Sequence, residues 1–456
     1  MTKPRAIGPL LKRACVAALL ASAAAARGGP GGLAPTVSPD RLEDAPTNVR
    51  EVVANFAWRA FIALNWPSLS DAAGRGLPDR EKSLGDPGKR VWETFKSDYE
   101  LFQIDGDGRR AAPSPWESYA GRNPCGPGVD NRRKTIASFA PFADFNQPSF
   151  AVGTPANPLI AQNGAYTRYE IHFNEREFAA FAAHGWSRGV NLPDASRPAR
   201  FPVGSVAVKA AWRPLTAADP PSARQRAYVE PAEIADVAKT LAAGHVVCSE
   251  RDVALVGLHI AIKTAARPQW IWSTFEQVDN VPPAGEGKAR EPDARDAGVP
   301  YAYFDPSKPK RLWPPFGSAG TLPVDWKNPP KPDSTPMQVV RRHPIDPSIM
   351  AVNRAYWNSP GVKGTVWARY MLVAVQWPTS REPPAPDNDG GYFPGRPAAA
   401  DAGEESYKST AMPEENLINT TMETYLQDRP SSCIACHQIV SNVRGGDFVG
   451  TLAGVR

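Results

Sequence analysis

Ala254-Leu255-Val256-Gly257-Leu258-His259-Ile260-Ala261-Ile262-Lys263 alternates as a strand with two unlike faces. Leu258, Ile260 and Ile262 share one side, and His259, Ala261 and Lys263 share the other, the period-two signature of a sheet with one strongly apolar face. A turn containing Pro268 follows, and Gln269 to Glu276 reads as the returning strand, with Trp270, Trp272 and Thr274 on one side. The pattern extends outward in both directions. Upstream, Tyr166 to Phe173 sets Thr167, Tyr169, Ile171 and Phe173 on one face, and Ser205 to Trp212 sets Val206 and Val208 against Ala207 and Lys209. Downstream, Gly364 to Trp377 alternates and reads as a central strand.

Helices are few. Asn48 and Glu51 have capping-box spacing, and Val49, Val52, Val53, Phe56, Ala60 and Leu64 keep one helical face until Asn65-Trp66-Pro67 stops it. Asn174 and Glu177 form a second capping box before a short helix through Phe178 and Phe181. The 49 prolines in 456 residues, at about twice the usual frequency, argue for many turns and long connections. Segments 283–298, 305–336 and 379–405 read as surface excursions, and no internal repeat is present. The expected fold is α+β: a mainly antiparallel β-sheet with peripheral helices and a C-terminal helix. A single large domain is expected over 47–456, with 47–160 an N-terminal extension and 161–456 a β core carrying insertions.

Residues 1–26 read as a secretory signal peptide rather than part of that fold. Lys3, Arg5, Lys12 and Arg13 form a basic region, Ala14 to Ala23 an apolar one, and Ala24-Ala25-Ala26 a cleavage site. The apolar run is shorter than the roughly 20 residues a membrane span needs, and Cys15 lies within it. Residues 27–46, rich in Gly, Pro and Ala, follow as a flexible leader. The expected location is therefore the periplasm, with no integral membrane segment after cleavage. Without the four leader cations, 48 basic side chains face 47 acidic ones, so charge gives no case for a nucleic-acid partner. In an oxidising compartment Cys125 and Cys248, the two cysteines outside the leader and the motif below, are expected to form a disulfide.

Ser431-Ser432-Cys433-Ile434-Ala435-Cys436-His437 contains C-x-x-C-H. Two thiols three positions apart on one helical turn can each form a thioether to a haem vinyl group, and the next residue sets an imidazole on the iron. A structural zinc site wants four ligands, and no second pair exists; a thioredoxin-like C-x-x-C would follow a strand in a βαβ unit. One covalent haem c is thus expected, with Cys433 and Cys436 as thioether donors and His437 as axial ligand. No methionine follows Cys433, which argues against the small all-α cytochrome c fold, so a second axial ligand must come from upstream.

The C-terminal motif behind β patterns resembles the cytochrome c-prime-beta superfamily, which includes hydroxylamine-oxidising monohaem cytochromes with a lysine–haem cross-link. The likeness rests on Tyr169 to Asn174, Phe201 to Lys209, Ile260 to Lys263 with Gln269 to Trp272, Cys433 to His437, and Asp447-Phe448-Val449. Over most of its length the chain is similar to larger bacterial proteins known as the cytochrome c family, through Ala57 to Pro67, Trp272 to Glu276 and Asn419 to Thr424. The resemblance implies Lys209 and Lys263 as cross-link donors by position; the alternative for each is a solvated strand lysine.

His259 is a candidate distal ligand or proton donor, or a core histidine. Met422 is a candidate thioether ligand, or a packing residue. Glu276 and Asp279 are carboxylates able to move protons near the iron, or parts of a surface turn. The function expected is a periplasmic monohaem c-type cytochrome carrying single electrons to or from a redox partner protein. The alternative is a haem oxidoreductase or gas-binding protein with an open distal site for a small nitrogen or oxygen species.

Overall fold

The computed structural model describes residues 49–69, 74–137, 159–194, 197–267, 269–283, 295–308, 336–377, 418–424, 427, 433–434, 437, 446–447 and 449–450. The leader, most of the three expected excursions and Cys436 lie outside them. The fold is α+β around one mixed sheet of eight strands, and it is not a small all-α fold.

The strands are β1 (Lys96–Ser97), β2 (Lys134–Ile136), β3 (Arg168–Phe173), β4 (Val206–Pro214), β5 (Val229–Ala235), β6 (Cys248–Ile262), β7 (Ile271–Gln277) and β8 (Tyr370–Gln376). The quoted stretch is the downstream part of β6, the organising strand. Along one edge it pairs with β4; along the other it pairs with β5 through its first half and with β7 through its second. All pairings are antiparallel except β2 with β5. The N-terminal region joins the same sheet, since β1 pairs with β3 and β2 with β5.

Two strand readings need correction. Only Tyr370–Gln376 of the Gly364–Trp377 run is strand, after a 3-10 turn over Val366–Arg369, and β8 pairs with β7 alone. It looks central in sequence because it is buried on both faces. Its outer edge is covered by helix α4 (Pro347–Trp357), whose Asn353 bonds both the N–H and the C=O of Leu372 at 2.9 Å, so the open ladder is satisfied. Trp270 stands before β7 with φ +73°, its N–H bonded to Arg267 O, because the turn after Pro268 closes there.

Helix α1 (Arg50–Leu64) follows the expected apolar spacing, but it opens on Val49, which makes no side-chain cap bond, and not on the expected Asn48–Glu51 box; Asn48 lies outside the described residues. Phe61 stacks on Phe275 of β7 at 4.2 Å and Trp58 on Tyr356 of α4 at 4.9 Å. These helices therefore seal the face formed by Val206, Val208, Leu258 and Ile260. Helix α2 (Glu175–His184) ends on Gly185 at φ +71°, a left-handed cap suited to glycine.

Cys125 and Cys248 form a disulfide, with Cα atoms 5.3 Å apart across a sequence separation of 123. It ties the N-terminal region to the start of β6. Replacing both by serine should cost about 2–5 kcal/mol, chiefly by freeing the unfolded chain. A reductant should lower the Tm of the wild type to that of the variant and leave the variant unmoved; equal Tm values for all forms would show that the bond constrains nothing.

Candidate functional site

The sheet face opposite α1 is built from two cross-strand rows. One runs Phe173, Ala207, Ala261, Trp272 and Gln376 across β3, β4, β6, β7 and β8; the next runs Ile171, Lys209, His259, Thr274 and Ala374. Alternation along each strand forces these side chains to one side. Ile171, Ala207, Lys209 and His259 are only half-buried, although they occupy the middle of an eight-stranded sheet.

The motif lies on this face. Ile434 donates its N–H to Gln376 Oε1 at 2.9 Å, and the His437 ring packs on Trp272 with centroids 4.4 Å apart. A Cβ at Gly450 would lie 3.5 Å from His437 Cε1, so the chain at Gly450 passes close to the imidazole. Cys433, Ile434 and His437 have helical backbone; Ala435 and Cys436 lie outside the described residues. Cys433 is half-buried and not in a disulfide.

A second segment, 418–424, crosses the same face and anchors the chain ahead of the motif. Asn419 Nδ2 donates to Thr274 Oγ1 at 2.9 Å and to Phe275 O at 3.0 Å. Thr420 gives Glu276 its N–H at 2.7 Å and its hydroxyl at 2.6 Å, and Tyr169 OH donates to Thr421 O at 2.7 Å. Glu276 also meets Arg341 at 2.6 Å. It is an anchor, fully buried, rather than part of a surface turn.

The remaining sequence candidates separate. Burial holds the Lys209 ammonium below the ordinary lysine range, against the opposing pull of the Glu423 carboxylate. His259, its neighbour across β4 and β6, has Nε2 3.4 Å from Glu423 Oε2 in an ion-pair arrangement without hydrogen-bond geometry. Burial would raise Glu423, but His259 and Lys209 together pull its carboxyl below the usual range. Lys209, His259 and Glu423 thus form one polar group.

Lys263 instead pairs with Asp447 Oδ2 at 2.5 Å. Met422 packs among Tyr169, Ala211, Val256 and Tyr303, so the structure brings it to an apolar cluster rather than to His437. Asp279 is held by Arg226 at 2.8 and 2.9 Å and lines a separate cavity of about 210 Å³ with Arg213, Asp219 and Tyr301.

The donor chemistry and the surface under it fit a c-type haem. Cys433 and His437, a thiol and an imidazole four residues apart, are seated by Gln376 and Trp272 on the sheet face that also carries the small side chains of Ala207 and Ala261 and the polar Lys209 and His259. Glu423 and Asp447 are site residues to which sequence reasoning gave no role. Thr420 and Glu423 have capping spacing, but nothing local marks which strand receives the segment. No family model, curated protein or solved structure matches the chain.

Proposed function

We propose that this chain is an exported monohaem c-type protein that passes single electrons, with one haem c joined to Cys433 and Cys436 and ligated by His437. The observation that carries the reading is that the motif is seated on a partly open sheet face, with the His437 ring packed on Trp272 and Ile434 bonded to Gln376. A chance C-x-x-C-H on a surface loop has no reason to be keyed to a sheet. Haem bound there supplies a one-electron couple, and the protein supplies burial and orientation. Trp272 packs on the His437 ring, and Gln376 pins the turn that presents it.

A second reading is favoured by Lys209 and His259, half-buried on central strands where packing alone would select apolar side chains. It is a haem oxidoreductase or gas-binding protein, with these groups beside a small nitrogen or oxygen species. Of the two lysines, Lys209 is the better cross-link donor, because Lys263 is already paired with Asp447 at 2.5 Å.

The deciding experiment is the visible spectrum of the purified, exported protein, oxidised and reduced, with and without carbon monoxide. A reduced c-type α-band is expected, lost when Cys433→Ala is combined with Cys436→Ala; a colourless wild type refutes the proposal. An unchanged reduced spectrum under carbon monoxide supports electron transfer through a six-coordinate iron. A shift supports the second reading, and a strongly red-shifted Soret band removed by Lys209→Arg supports the cross-link.

A further inference from the structure

Glu177 sits at the third position of α2, where the sequence predicts half of a capping box. Only the other half forms. Asn174 Oδ1 accepts the Glu177 N–H at 3.1 Å, but the Asn174 N–H is already given to Val206 O at 3.0 Å. The Glu177 carboxyl turns inward instead. It is 0% exposed, and neither oxygen has a hydrogen-bond partner among the described residues. An unpaired buried carboxylate is among the costliest groups a fold can hold, and a packing role would be filled better by leucine or glutamine.

Its charged neighbours lead to the haem motif. Asp447 and Lys263 are the groups whose charge it feels. Asp447 accepts the Phe201 N–H at 2.8 Å and the Trp270 indole N–H, through its carbonyl, at 3.1 Å. Asp447 and Trp270 both have positive φ, at +48° and +73°, so this corner is a shaped one. Three residues beyond Asp447, Gly450 packs on His437. Other charged groups around the helix are engaged elsewhere: Lys96 lies over Phe178 and pairs with Glu100, Glu175 and Arg176 are exposed, and Arg200 acts on Asp447. Burial first, and Asp447 second, drive the Glu177 carboxyl well above the usual range, against Lys263.

We propose that Glu177 is a proton-binding site coupled to the iron: one electron taken up at the haem is matched by one proton taken from solvent onto the Glu177 carboxylate. The inference rests on the haem reading above. The only bond formed is O–H, and the electron comes from a one-electron donor, an electrode in the test. A change of charge at the iron acts on the proton affinity of a buried carboxyl through the poorly screening protein interior, and this links the two events.

The test is spectroelectrochemical titration of the holoprotein across pH, wild type against Glu177→Gln. The wild-type midpoint potential should fall with pH over a window above the ordinary carboxylate range, approaching a tenfold change in equilibrium per unit, or about 59 mV. E177Q should be flat in that window. It is isosteric and relieves an unpaired charge, so it should fold and melt higher than wild type at pH 8 but not at pH 4. A reduced-minus-oxidised infrared difference spectrum should show a protonated-carboxyl band that E177Q lacks. A coloured protein whose wild-type potential ignores pH, or an E177Q variant that keeps the slope, overturns the coupling alone. A colourless protein overturns it together with the haem reading.

Discussion

Lys134→Met should destabilise the protein by about 3–5 kcal/mol, the usual cost of leaving a buried ion pair with one partner. Lys134 of β2 is almost fully buried, with Nζ 2.7 Å from Glu170 Oε1 and 2.8 Å from Glu93 Oε1. Its ammonium also lies over the rings of Trp212 and Trp92, 4.4 and 5.0 Å from their centroids. Methionine fills the volume but leaves two carboxylates facing each other. Glu170 keeps the Trp212 indole N–H at 2.7 Å and His172 at 2.9 Å, and Glu93 keeps the Arg90 N–H at 2.9 Å and the Tyr228 hydroxyl at 2.5 Å, but these donors do not replace the cation that both carboxylates shared. Denaturant midpoints of K134M, of K134M/E93Q and of K134M/E93Q/E170Q should rise in that order. A K134M midpoint equal to wild type would show that the cluster holds no charge.

The sign of the pH dependence checks the same cluster. Burial would raise the Glu170 carboxyl, but Lys134 and His172 outweigh it and hold it at about 2, from an ordinary value of 4.5. A depressed acid adds stability above its unfolded value that is lost as pH falls through 4.5 toward 2. A difference of that size corresponds to about 3 kcal/mol. Wild type should therefore weaken over this acid window. In K134M the carboxyls no longer have their cation, so acidification from neutral pH should stabilise it before general acid unfolding begins.

That cluster also shows where sequence reasoning ends. Lys134 stands in Asn131-Arg132-Arg133-Lys134-Thr135, a run that reads as a solvated turn, and only pairing of β2 with β5 buries it. Strands β3, β4, β7 and the second half of β6 were legible because an apolar face alternates with a mixed one. The first half of β6, Cys248 to Val253, was not, because its polar side chains pair with β5 at the sheet margin. Strand β5 carries Pro231, and β1 and β2 are two and three residues long; none has a local signature. Helix α4 starts on Asp346 and Pro347, a proper opening signal, but the proline-rich sequence before it masked that signal. At the site, Cys433 and His437 announced themselves by spacing. The face receiving them did not, because which strand meets a distant segment is decided by shape, as at Gly257.

Gly257→Ala should unseat the segment that leads into the motif. A Cβ at Gly257 would lie 2.3 Å from Thr421 Oγ1 and 3.1 Å from Asn419 Oδ1. Neither atom can retreat cheaply. Thr421 Oγ1 donates to Asn419 Oδ1 at 2.7 Å, both residues are fully buried, and Thr421 O is held by Tyr169. The segment must lift, and the bonds from Asn419 to Thr274 and from Thr420 to Glu276 go with it. Overpacking of this kind costs about 1–3 kcal/mol. Its larger consequence falls on function, because residues 418–424 fix where the chain enters Cys433. G257A should show a lower Tm and a several-fold loss of covalently bound haem per protein. Adding Thr421→Ala removes the colliding hydroxyl, so G257A/T421A should recover most of the Tm that G257A loses, whether or not the protein is coloured. G257A with wild-type Tm and full pigment would mean that 418–424 does not position the motif; a lower Tm with full pigment would confine its role to stability.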